Sequence, residues 1–420
     1  MALTYSTADA VLKEDYKDLR EQLNQSTFML SQIETNTDDV VGLRAKLAIH
    51  RGRSSGVGAR GDGGTLPTAA NQGYSEVDVP LRFQYGRVQI TGPTIAAMSK
   101  DRGAFTRAVK SEMDGIRNDL RRDVNRQVWG TSNGVIARCG TTSNSTTVVL
   151  HADTTAVQGR QLKDGSFLVD IGTVADSDLR TVTAREVSAV VTTAGSMTFV
   201  VSGAAITTAS TDYVFRAGSG GATDGSGMVG DGQFELTGLQ TIVDSGTEVF
   251  NLNGATIAAW NSTVDSNSGT TRSVSENLVN KNVQTVEIES GQQVKLLVGS
   301  DGVSRAISNL LTSTRRNIDN VELEAGYSGI KWSTVLEGTA SNGPIALVYD
   351  RDAPSNRLFG LSTDQLVEFV GEDWGWMDQD GAVLSRVANA DAYEATYLKY
   401  HELATRQRNA HFVIEDLTEA

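Results

Sequence analysis

The chain has 420 residues and a formal net charge of −14 at pH 7, from 37 basic and 51 acidic side chains. This length supports a sizeable core and two to four domains, while the acidic balance argues against sequence-specific nucleic-acid binding. The single cysteine, Cys139, excludes an internal disulfide framework and fits a reducing compartment. We find no secretory signal pattern and no apolar run of the roughly 18 residues that a membrane span needs. We therefore expect a protein that is made in a cytoplasm and does not enter a membrane.

Residues 6–35 are predicted to form a helix that starts with a capping-box pair, Ser6 and Asp9. Apolar side chains follow at alternating steps of four and three, interrupted by Ser26, which is the spacing of a coiled-coil seam. The seam residues are Leu12, Tyr16, Leu19, Leu23, Leu30 and Ile33. Two interpretations remain open: a surface helix that packs on its own domain, or an arm that packs on a neighbouring subunit.

Alternating apolar residues over 41–49 and again over 77–88 predict two strands. The segment between them, His50–Gly73, is too long and too rich in glycine for a hairpin turn inside a compact domain. A two-stranded ribbon alone is only marginally stable in water. We therefore predict an arm that binds another molecule, with a disordered loop as the alternative. The tip of this arm carries three arginines, Arg51, Arg53 and Arg60.

The strongest pattern lies in Ala104–Trp129, where one apolar stripe follows a helical face. The stripe consists of Phe105, Val109, Met113, Ile116, Leu120, Val124 and Val128. Asp101 is the expected N-cap, and Gly130 stands where the helix should end. At 1.5 Å per residue the helix would be about 39 Å long. We interpret it as the scaffold element around which the rest of the chain is built.

The next section is predicted to be a module of strands inserted into the fold. Thr141–Thr147 is interpreted as a polar linker, and Val148–Phe215 alternates persistently between turn signals. Five or six strands at this short spacing predict a small sandwich or barrel. Gly218–Gly232 is interpreted as a flexible exit from the module.

From Gln233 onward, helical and strand patterns alternate, which predicts an α/β layer. Helices are expected over 234–246, from a capping box at Ser273 and Glu276, and after a cap at Asp301. Buried strands are expected at Lys295–Gly299 and Ile345–Tyr349, and further strands at Gln365–Val370 and Ala382–Val387. Ala392–Thr405 fits a long strand or a helix, and His411–Leu417 is expected to be extended.

Two motif-like spacings are interpreted as coincidences. Gly56, Gly58 and Gly61 match a dinucleotide-binding pattern, but the following residues, 62–67, cannot open the helix that such a site needs. Calcium-loop spacing occurs at Asp265, Asn267, Thr271, Ser273 and Glu276. That loop lacks a ligand at its fifth position and a glycine at its sixth, because Gly269 and Thr270 stand there.

No other residues form a catalytic or metal-binding pattern. The four histidines, His50, His151, His401 and His411, are scattered, and Cys139 has no nearby base in the sequence. We therefore predict no catalytic residue, no cofactor site and no metal site, and we expect a protein that is not an enzyme.

The order of these elements resembles that of the major capsid proteins of tailed bacteriophages with the Hong Kong 97 fold. The resemblance is clearest in Leu66–Met98 and in the helical stretch Arg117–Gly130. It implies an α+β fold with an inserted all-β domain. The implied parts are an N-terminal arm (1–40), an E-loop (41–92), a P-domain with its spine helix at 104–129 (93–140), the inserted β domain (141–232), an A-domain (233–355), the P-domain return strands (356–401) and a C-terminal A-domain segment (402–420).

The resemblance also implies a function. Such a protein assembles as pentamers and hexamers into an icosahedral virion shell around double-stranded DNA. The implied partners are further copies of the chain, a separate scaffolding protein, a portal, possible decoration proteins and DNA held by non-specific contact. The spine stripe, the tip arginines and the arm seam would then be assembly residues.

Some relatives cross-link their shells through an E-loop lysine, but this chain has no lysine from Leu47 to Ser99. We therefore expect a non-covalent shell, held by charge pairs and apolar contacts. Four helix arginines are expected to face solvent or to pair between subunits, with contact to the genome as the alternative: Arg117, Arg121, Arg122 and Arg126.

Three other classes stay open as alternatives. The first is an encapsulin-like compartment that holds an enzyme cargo. The second is a secreted β-rich adhesin, suggested by the tripeptide Arg60–Asp62. The third is a hydrolase, for which no nucleophile–base pair is visible in the sequence.

Overall fold

The computed structural model describes residues 27–98, 102–163, 168–173, 184–193, 196–217, 234–312, 320–322, 328–332, 345–378 and 383–420. The side chains of 97–98, 102–109, 156, 163, 189, 191–193, 196, 311–312, 320–322 and 328–332 are outside the description. Within these ranges the chain is a mixed α+β structure in which strands dominate. None of the described helices combines the length and the apolar character needed to cross a membrane.

The first described residues form a 3-10 turn, Met29–Ser31, and a short strand, β1 (Glu34–Asn36). β1 pairs in parallel with Val367–Phe369. The predicted helix over 6–35 is therefore wrong at its C-terminal end, because the edge of a sheet binds the backbone of these residues instead. Leu30 and Ile33 pack against the main core, whereas Leu12, Tyr16, Leu19 and Leu23 lie outside the described residues.

The predicted ribbon is present and has three antiparallel strands. They are β2 (Val40–Val41), β3 (Arg44–Gly52) and β4 (Gly73–Pro80). Pro80 and Leu81 lead from the ribbon into β5 (Arg82–Thr91), which pairs with a long strand near the C-terminal end of the chain. The alternation over 77–88 therefore belongs to two successive strands rather than to one.

Two helices follow, α1 (Gly92–Met98) and the long α2 (Arg102–Val128). The predicted long helix is thus confirmed with a start two residues earlier. Along its stripe, Leu120, Val124 and Val128 are buried, while Met113 and Ile116 are half-buried. The side chains of Phe105 and Val109, and the predicted cap Asp101, lie outside the described residues. Gly86 allows the close approach of β5 to α2, since a Cβ atom there would lie 2.9 Å from Ile116 Cγ1.

The inserted region consists of strands and one helix, which share a hydrophobic core. Within the described residues, six antiparallel strands pair in the order β6-β13-β9-β10-β11-β8, and β7 pairs with β12. The elements are β6 (Val135–Arg138), β7 (Thr142–Ser145), β8 (Thr147–Val149), α3 (Ala156–Lys163), β9 (Leu168–Thr173), β10 (Arg185–Thr193), β11 (Ser196–Val201), β12 (Ile206–Thr208) and β13 (Asp212–Arg216).

Two predictions for this region are wrong. The supposed linker 141–147 contains β7, because Thr142 and Ser145 pair with β12. The module is also not all-β, since α3 contributes Val157 and Leu162, which are both buried, the latter in the core cluster of this region. The start of α3 carries a capping box that the sequence analysis missed. Thr155 N donates to Gln158 Oε1 at 2.9 Å, and Gln158 N donates to Thr155 Oγ1 at 3.4 Å.

The predicted α/β layer is a mixed seven-stranded sheet in the described residues, in the order β16-β25-β21-β17-β20-β19-β18, where β25 is Phe412–Ile414. A small pair, β14-β15, stands apart from it. The elements up to residue 361 are α4 (Leu239–Ile242), β14 (Glu248–Val249), β15 (Leu252–Asn253), β16 (Thr263–Asp265), α5 (Glu276–Ser290), β17 (Leu296–Gly299), α6 (Asp301–Thr312), β18 (Asn320–Glu322), β19 (Ser328–Trp332), β20 (Ile345–Tyr349) and β21 (Leu358–Leu361).

A five-stranded sheet is built around a strand near the C-terminal end. Its spatial order is β1-β22-β24-β23, with β5 also paired to β24. The last elements are β22 (Leu366–Trp376), β23 (Ser385–Arg386), β24 (Ala392–Thr405) and β25 (Phe412–Ile414), and short 3-10 turns occur at Ala258–Trp260, Thr363–Gln365 and Arg408–Ala410. The ambiguous stretch 392–405 is therefore a strand.

Helix boundaries in this half differ from the predictions at three points. Of the predicted helix 234–246, only α4 is helical. The Arg408 side chain donates to the carbonyls of Thr241 and Ile242, and a longer helix would need these carbonyls for its own hydrogen bonds. Ser275, rather than Ser273, caps α5 by accepting from Leu278 N at 3.2 Å. Asp301 is the first residue of α6 rather than its cap.

The largest described core cluster lies where the end of α2 meets both large sheets. Val124, Val128 and Trp129 pack there with side chains from the two sheets, including Phe359 and Leu403. Trp129 contacts Phe359 edge-on, with ring centroids 5.2 Å apart. The long helix is thus anchored at its C-terminal end.

Candidate assembly surfaces

The base of the ribbon is built into the molecule. Ala45, Val77 and Val79 are fully buried in a cluster that also contains Phe369 and Trp260. These side chains alternate along β3 and β4, so one face of the ribbon points inward, as the period-two pattern requires. The cluster fixes the direction in which the ribbon leaves the molecule.

The outer half of the ribbon is not covered in the same way. Leu47 and Ile49 are half-buried, and Tyr74 is 65% exposed. Ion pairs join β3 to β4 on the exposed side, from Arg44 to Asp78 and from Lys46 to Glu76. Exposed pairs of this kind add little to stability. The outer half therefore exposes the Tyr74 ring and charged side chains, while Leu47 and Ile49 pack against the buried cluster.

The loop at the tip has internal order of its own. Ser54 Oγ donates to Ala70 O at 2.8 Å, which ties the two sides of the loop together. Arg60 Nε donates to Thr65 O at 3.0 Å, within the tip. Val57 and Leu66 are 85% and 81% exposed there. Interaction sites commonly contain several large exposed apolar side chains that lie close together.

The predicted assembly arginines lie on this surface. Arg51, Arg53 and Arg60 are all exposed, on the outer end of β3 and in the tip. The structure thus brings these three residues to one end of the ribbon, together with Val57 and Leu66. Their role in assembly stays a prediction.

A second open surface lies between β5 and α2. A cleft of about 270 Å³ has Ile116 and Leu120 on its helix side and Gly86 on its strand side. Three exposed aromatic residues stand at its edge, namely Phe83, Tyr85 and Phe234. The rings of Phe83 and Tyr400 meet edge-on at 5.0 Å. The half-buried part of the helix stripe therefore borders an aromatic surface.

One of the four helix arginines is placed differently from the prediction. Arg126 is mostly buried and bonds Asp123 at 3.1 Å and Glu235 at 2.5 Å within the same chain. Burial works against the charge of Asp123, but the guanidinium groups of Arg126 and Arg216 hold the pKa of this carboxyl well below its usual range. Arg126 therefore closes a buried ion-pair network within its own chain.

The other helix arginines keep more contact with solvent. Arg117 lies 3.9 Å from Asp114 one turn earlier, and both side chains are nearly half exposed. Arg121 stands over the ring of Trp374 at 5.9 Å from its centroid. This cation–π contact gives Trp374, singled out by no motif, a structural role. Trp374 also stacks on Tyr397 at 5.6 Å.

A buried polar group under Trp374 was missed in the sequence. Glu368 Oε1 accepts from Lys399 Nζ at 2.7 Å and from His401 Nδ1 at 2.5 Å. Burial opposes the charge of Glu368, but these two donors lower its pKa to about 2. Burial lowers the pKa of His401. The group joins β22 to β24, so we assign it a structural role.

Sites suggested by spacing have structural explanations. Asp265 accepts from Arg272 Nη2 at 2.8 Å and from Lys281 Nζ at 3.1 Å, so cationic side chains bind the carboxylate that a calcium ion would need. Burial raises the pKa of the Cys139 thiol to about 12, so the thiol stays protonated at neutral pH. Among the described residues, no three histidine, cysteine or acidic side chains are grouped as metal ligands.

Comparison with solved structures places the fold. The chain is similar to the capsid asymmetric unit of cyanophage A-1(L), with a TM-score of 0.57 and 12% sequence identity over 96% of both chains. It is also similar to the holo-SrpI encapsulin complex of Synechococcus elongatus PCC 7942, with a TM-score of 0.50 and 8% identity over 100% of this chain and 97% of that one. No protein-family model and no curated protein sequence matches the chain.

The predicted resemblance to tailed-phage capsid proteins is therefore confirmed at the level of the fold. The alignment extends over nearly the full length of both chains. At 12% identity the comparison carries the fold and no more.

Proposed function

We propose that this chain is the structural subunit of a viral shell, a major capsid protein. In this proposal it assembles as pentamers and hexamers into an icosahedral shell around double-stranded DNA. The fold that it shares with the cyanophage capsid supports the proposal. The observation that carries it is the ribbon, whose outer end presents Val57 and Leu66 to solvent although its base is buried. An extended element of this kind gains stability when a second copy covers it.

The proposed parts follow the resemblance. The ribbon and tip loop serve as the E-loop, α2 as the spine helix and the seven-stranded sheet as the centre of the A-domain. Residues 1–40 serve as the arm. A scaffolding protein and a portal are the proposed assembly partners, and DNA is enclosed without sequence-specific contact. Each subunit makes several weak contacts at once, and these contacts add up through multivalency.

The contacts between subunits are proposed to be non-covalent. The tip offers arginines and apolar side chains, and the sequence from Leu47 to Ser99 has no lysine. Lys46, before this stretch, forms an ion pair with Glu76. Arg51 and Arg53 would pair with carboxylates of a neighbouring copy. Particles boiled in detergent should then release single chains on a gel, whereas ladders of linked chains would contradict this part of the proposal.

The central experiment compares assembly of tip variants by electron microscopy and sedimentation. The natural chain, produced with its scaffolding partner, should form closed shells. The double variant Val57→Ser, Leu66→Ser should stay as subunits or capsomers at the same concentration, because the tip loses its apolar contacts. Leu168→Ser is the control, since Leu168 is half exposed and lies in the inserted region. A compact monomer at high concentration, or normal shells from the double variant, would overturn the proposal.

The second candidate is an encapsulin-like compartment. It is favoured by the similarity to the SrpI encapsulin complex, which extends over the whole of this chain. The contents of purified particles distinguish the two functions. Nuclease-protected DNA inside the shell supports the capsid, and a co-purifying enzyme without DNA supports the compartment.

A further inference from the structure

Arginine side chains from three separate parts of the chain meet beside the seven-stranded sheet. Arg160 belongs to α3 of the inserted region, Arg305 belongs to α6, and Arg351 follows β20. They line an open pocket of about 510 Å³, which we call the arginine pocket. Its other lining residues are Asp301, Ser304, Ser308 and Tyr349.

The lining of the arginine pocket is positive on a chain that is negative overall. Asp301 accepts from Arg160 Nη2 and from Arg305 Nη1, each at 2.9 Å. These donors lower the pKa of Asp301 to about 2, so this carboxylate is charged at neutral pH. Three guanidinium groups against one carboxylate leave two positive charges in the lining.

The surroundings of Arg351 add charges of both signs. Asp350 and Asp352 lie beside it, and the like charges of Arg160 and Arg122 are close by. Burial lowers the pKa of Arg351, although the group stays protonated at neutral pH. Arg160 and Arg351 carry like charges that repel each other, and an anion bound by both side chains relieves that repulsion.

The donor geometry suits one kind of anion. Guanidinium groups bind phosphate through paired N–H donors, and hydroxyl groups add further hydrogen bonds. Ser304 and Ser308 are four residues apart on α6, so their hydroxyls lie on the same side of that helix. Arg160 Nε is shielded from solvent and has no hydrogen-bond acceptor in the described part of the chain.

We propose that the arginine pocket binds a phosphate group. The source is the backbone of double-stranded DNA or a free phosphate ion, and both offer the same oxygen acceptors. The DNA source rests on the proposed function, while the phosphate chemistry does not. Such binding reads no base sequence, which is consistent with the acidic balance of the chain as a whole.

The test uses the full chain and two probes, a short fluorescent double-stranded DNA of mixed sequence and inorganic phosphate. Binding of the DNA is followed by fluorescence anisotropy at several salt concentrations. Arg160→Gln should weaken binding equally for different sequences, and it should reduce the slope of log affinity against log salt by about 1. The double variant Arg160→Gln, Arg351→Gln should reduce that slope by about 2.

Arg406→Gln is the matched control. Its side chain is 35% exposed and pairs with Glu34 at 2.8 Å, while that of Arg160 is 35% exposed and pairs with Asp301 at 2.9 Å. The control should leave the affinity and the slope unchanged. If an arginine variant fails to fold in a thermal melt, Ser304→Ala with Ser308→Ala removes pocket donors without changing the charge and should still weaken binding.

The two probes distinguish the sources. Tight DNA binding that phosphate displaces only at high concentration supports the backbone as the source. Tight phosphate binding without DNA binding supports a free ion, and the proposed capsid function is unaffected by that outcome. Binding of neither probe, or an equal loss with Arg406→Gln, would overturn the proposal.

Discussion

The long helix α2 and the ribbon β2–β4 both carry continuous apolar series, yet the chain covers them to different degrees. The helix buries its stripe more deeply toward its C-terminal end, where Val124 and Val128 reach the main core. In the ribbon's series Val77 and Val79 are buried but Val41 is 83% exposed, and Leu66 in the tip loop is 81% exposed. Periodicity therefore predicts that an element has an apolar face, but not which molecule covers that face.

The largest expected effect comes from the anchored end of the helix. Trp129 is 1% exposed and lies edge-on to Phe359. Trp129→Ala should lower the free energy of unfolding of the unassembled chain by about 3–5 kcal/mol, because it leaves a large cavity. Denaturant unfolding followed by circular dichroism measures this change.

Leu66→Ala on the ribbon is the counterpart to that variant. It removes an exposed side chain, so the free energy of unfolding should stay within about 0.5 kcal/mol of the natural value. Equal losses from both variants would show that the tip is packed within its own chain, and the contrast between helix and ribbon would then fail.

An intermediate, pH-dependent effect on the free energy of unfolding is expected from Asp350, whose carboxyl group lies near the C-terminal end of α2. Burial and the nearby charge of Asp352 raise the pKa of Asp350 from 3.8 to about 6. The interactions of this carboxyl with Trp129 and Asn125 act in the opposite direction but are weaker. A raised pKa means that the stability due to Asp350 is fully present below pH 3.8 and is lost as the pH rises through 6. Asp350→Asn should therefore stabilise the chain at pH 8 by about 1–3 kcal/mol.

The difference between Asp350→Asn and the natural chain should shrink as the pH falls from 6 toward 4. Thermal unfolding of both proteins at a series of pH values measures that difference. A constant difference at all pH values would mean that the amide acts through packing, and that the Asp350 carboxyl does not titrate in this range.

The smallest effect is expected on the exposed side of the ribbon. Lys46 and Glu76 form an ion pair between side chains that are 65% and 60% exposed. The double variant Lys46→Gln, Glu76→Gln should change the melting temperature by no more than about 1 °C, since solvent screens such pairs. A drop of several degrees in the unassembled chain would indicate that the ribbon depends on its own charges rather than on a partner.

Two errors in the sequence analysis came from signals that compete locally. The series ending at Ile33 fits a helix, but residues 34–36 join the edge of a sheet whose other strands come from the far end of the chain. The helix α3 was read as strand, although its Thr155–Gln158 capping box is visible in the sequence. The strand at 34–36 depends on tertiary pairing, whereas the start of α3 is marked in the sequence by its capping box.

The amino-acid sequence alone determined the long helix, the ribbon, the strand 392–405 as one of two alternatives, and the resemblance in element order. These depend on periodicity within a few neighbouring residues. Only the tertiary structure decided which polar groups are buried. Arg408 is fully buried and donates to the carbonyls of Ile242, Thr247 and Trp260. The arginine pocket likewise joins residues from distant parts of the chain. A local sequence pattern does not predict such contacts, because their energy depends on groups that are distant in the sequence and come together only in the folded chain.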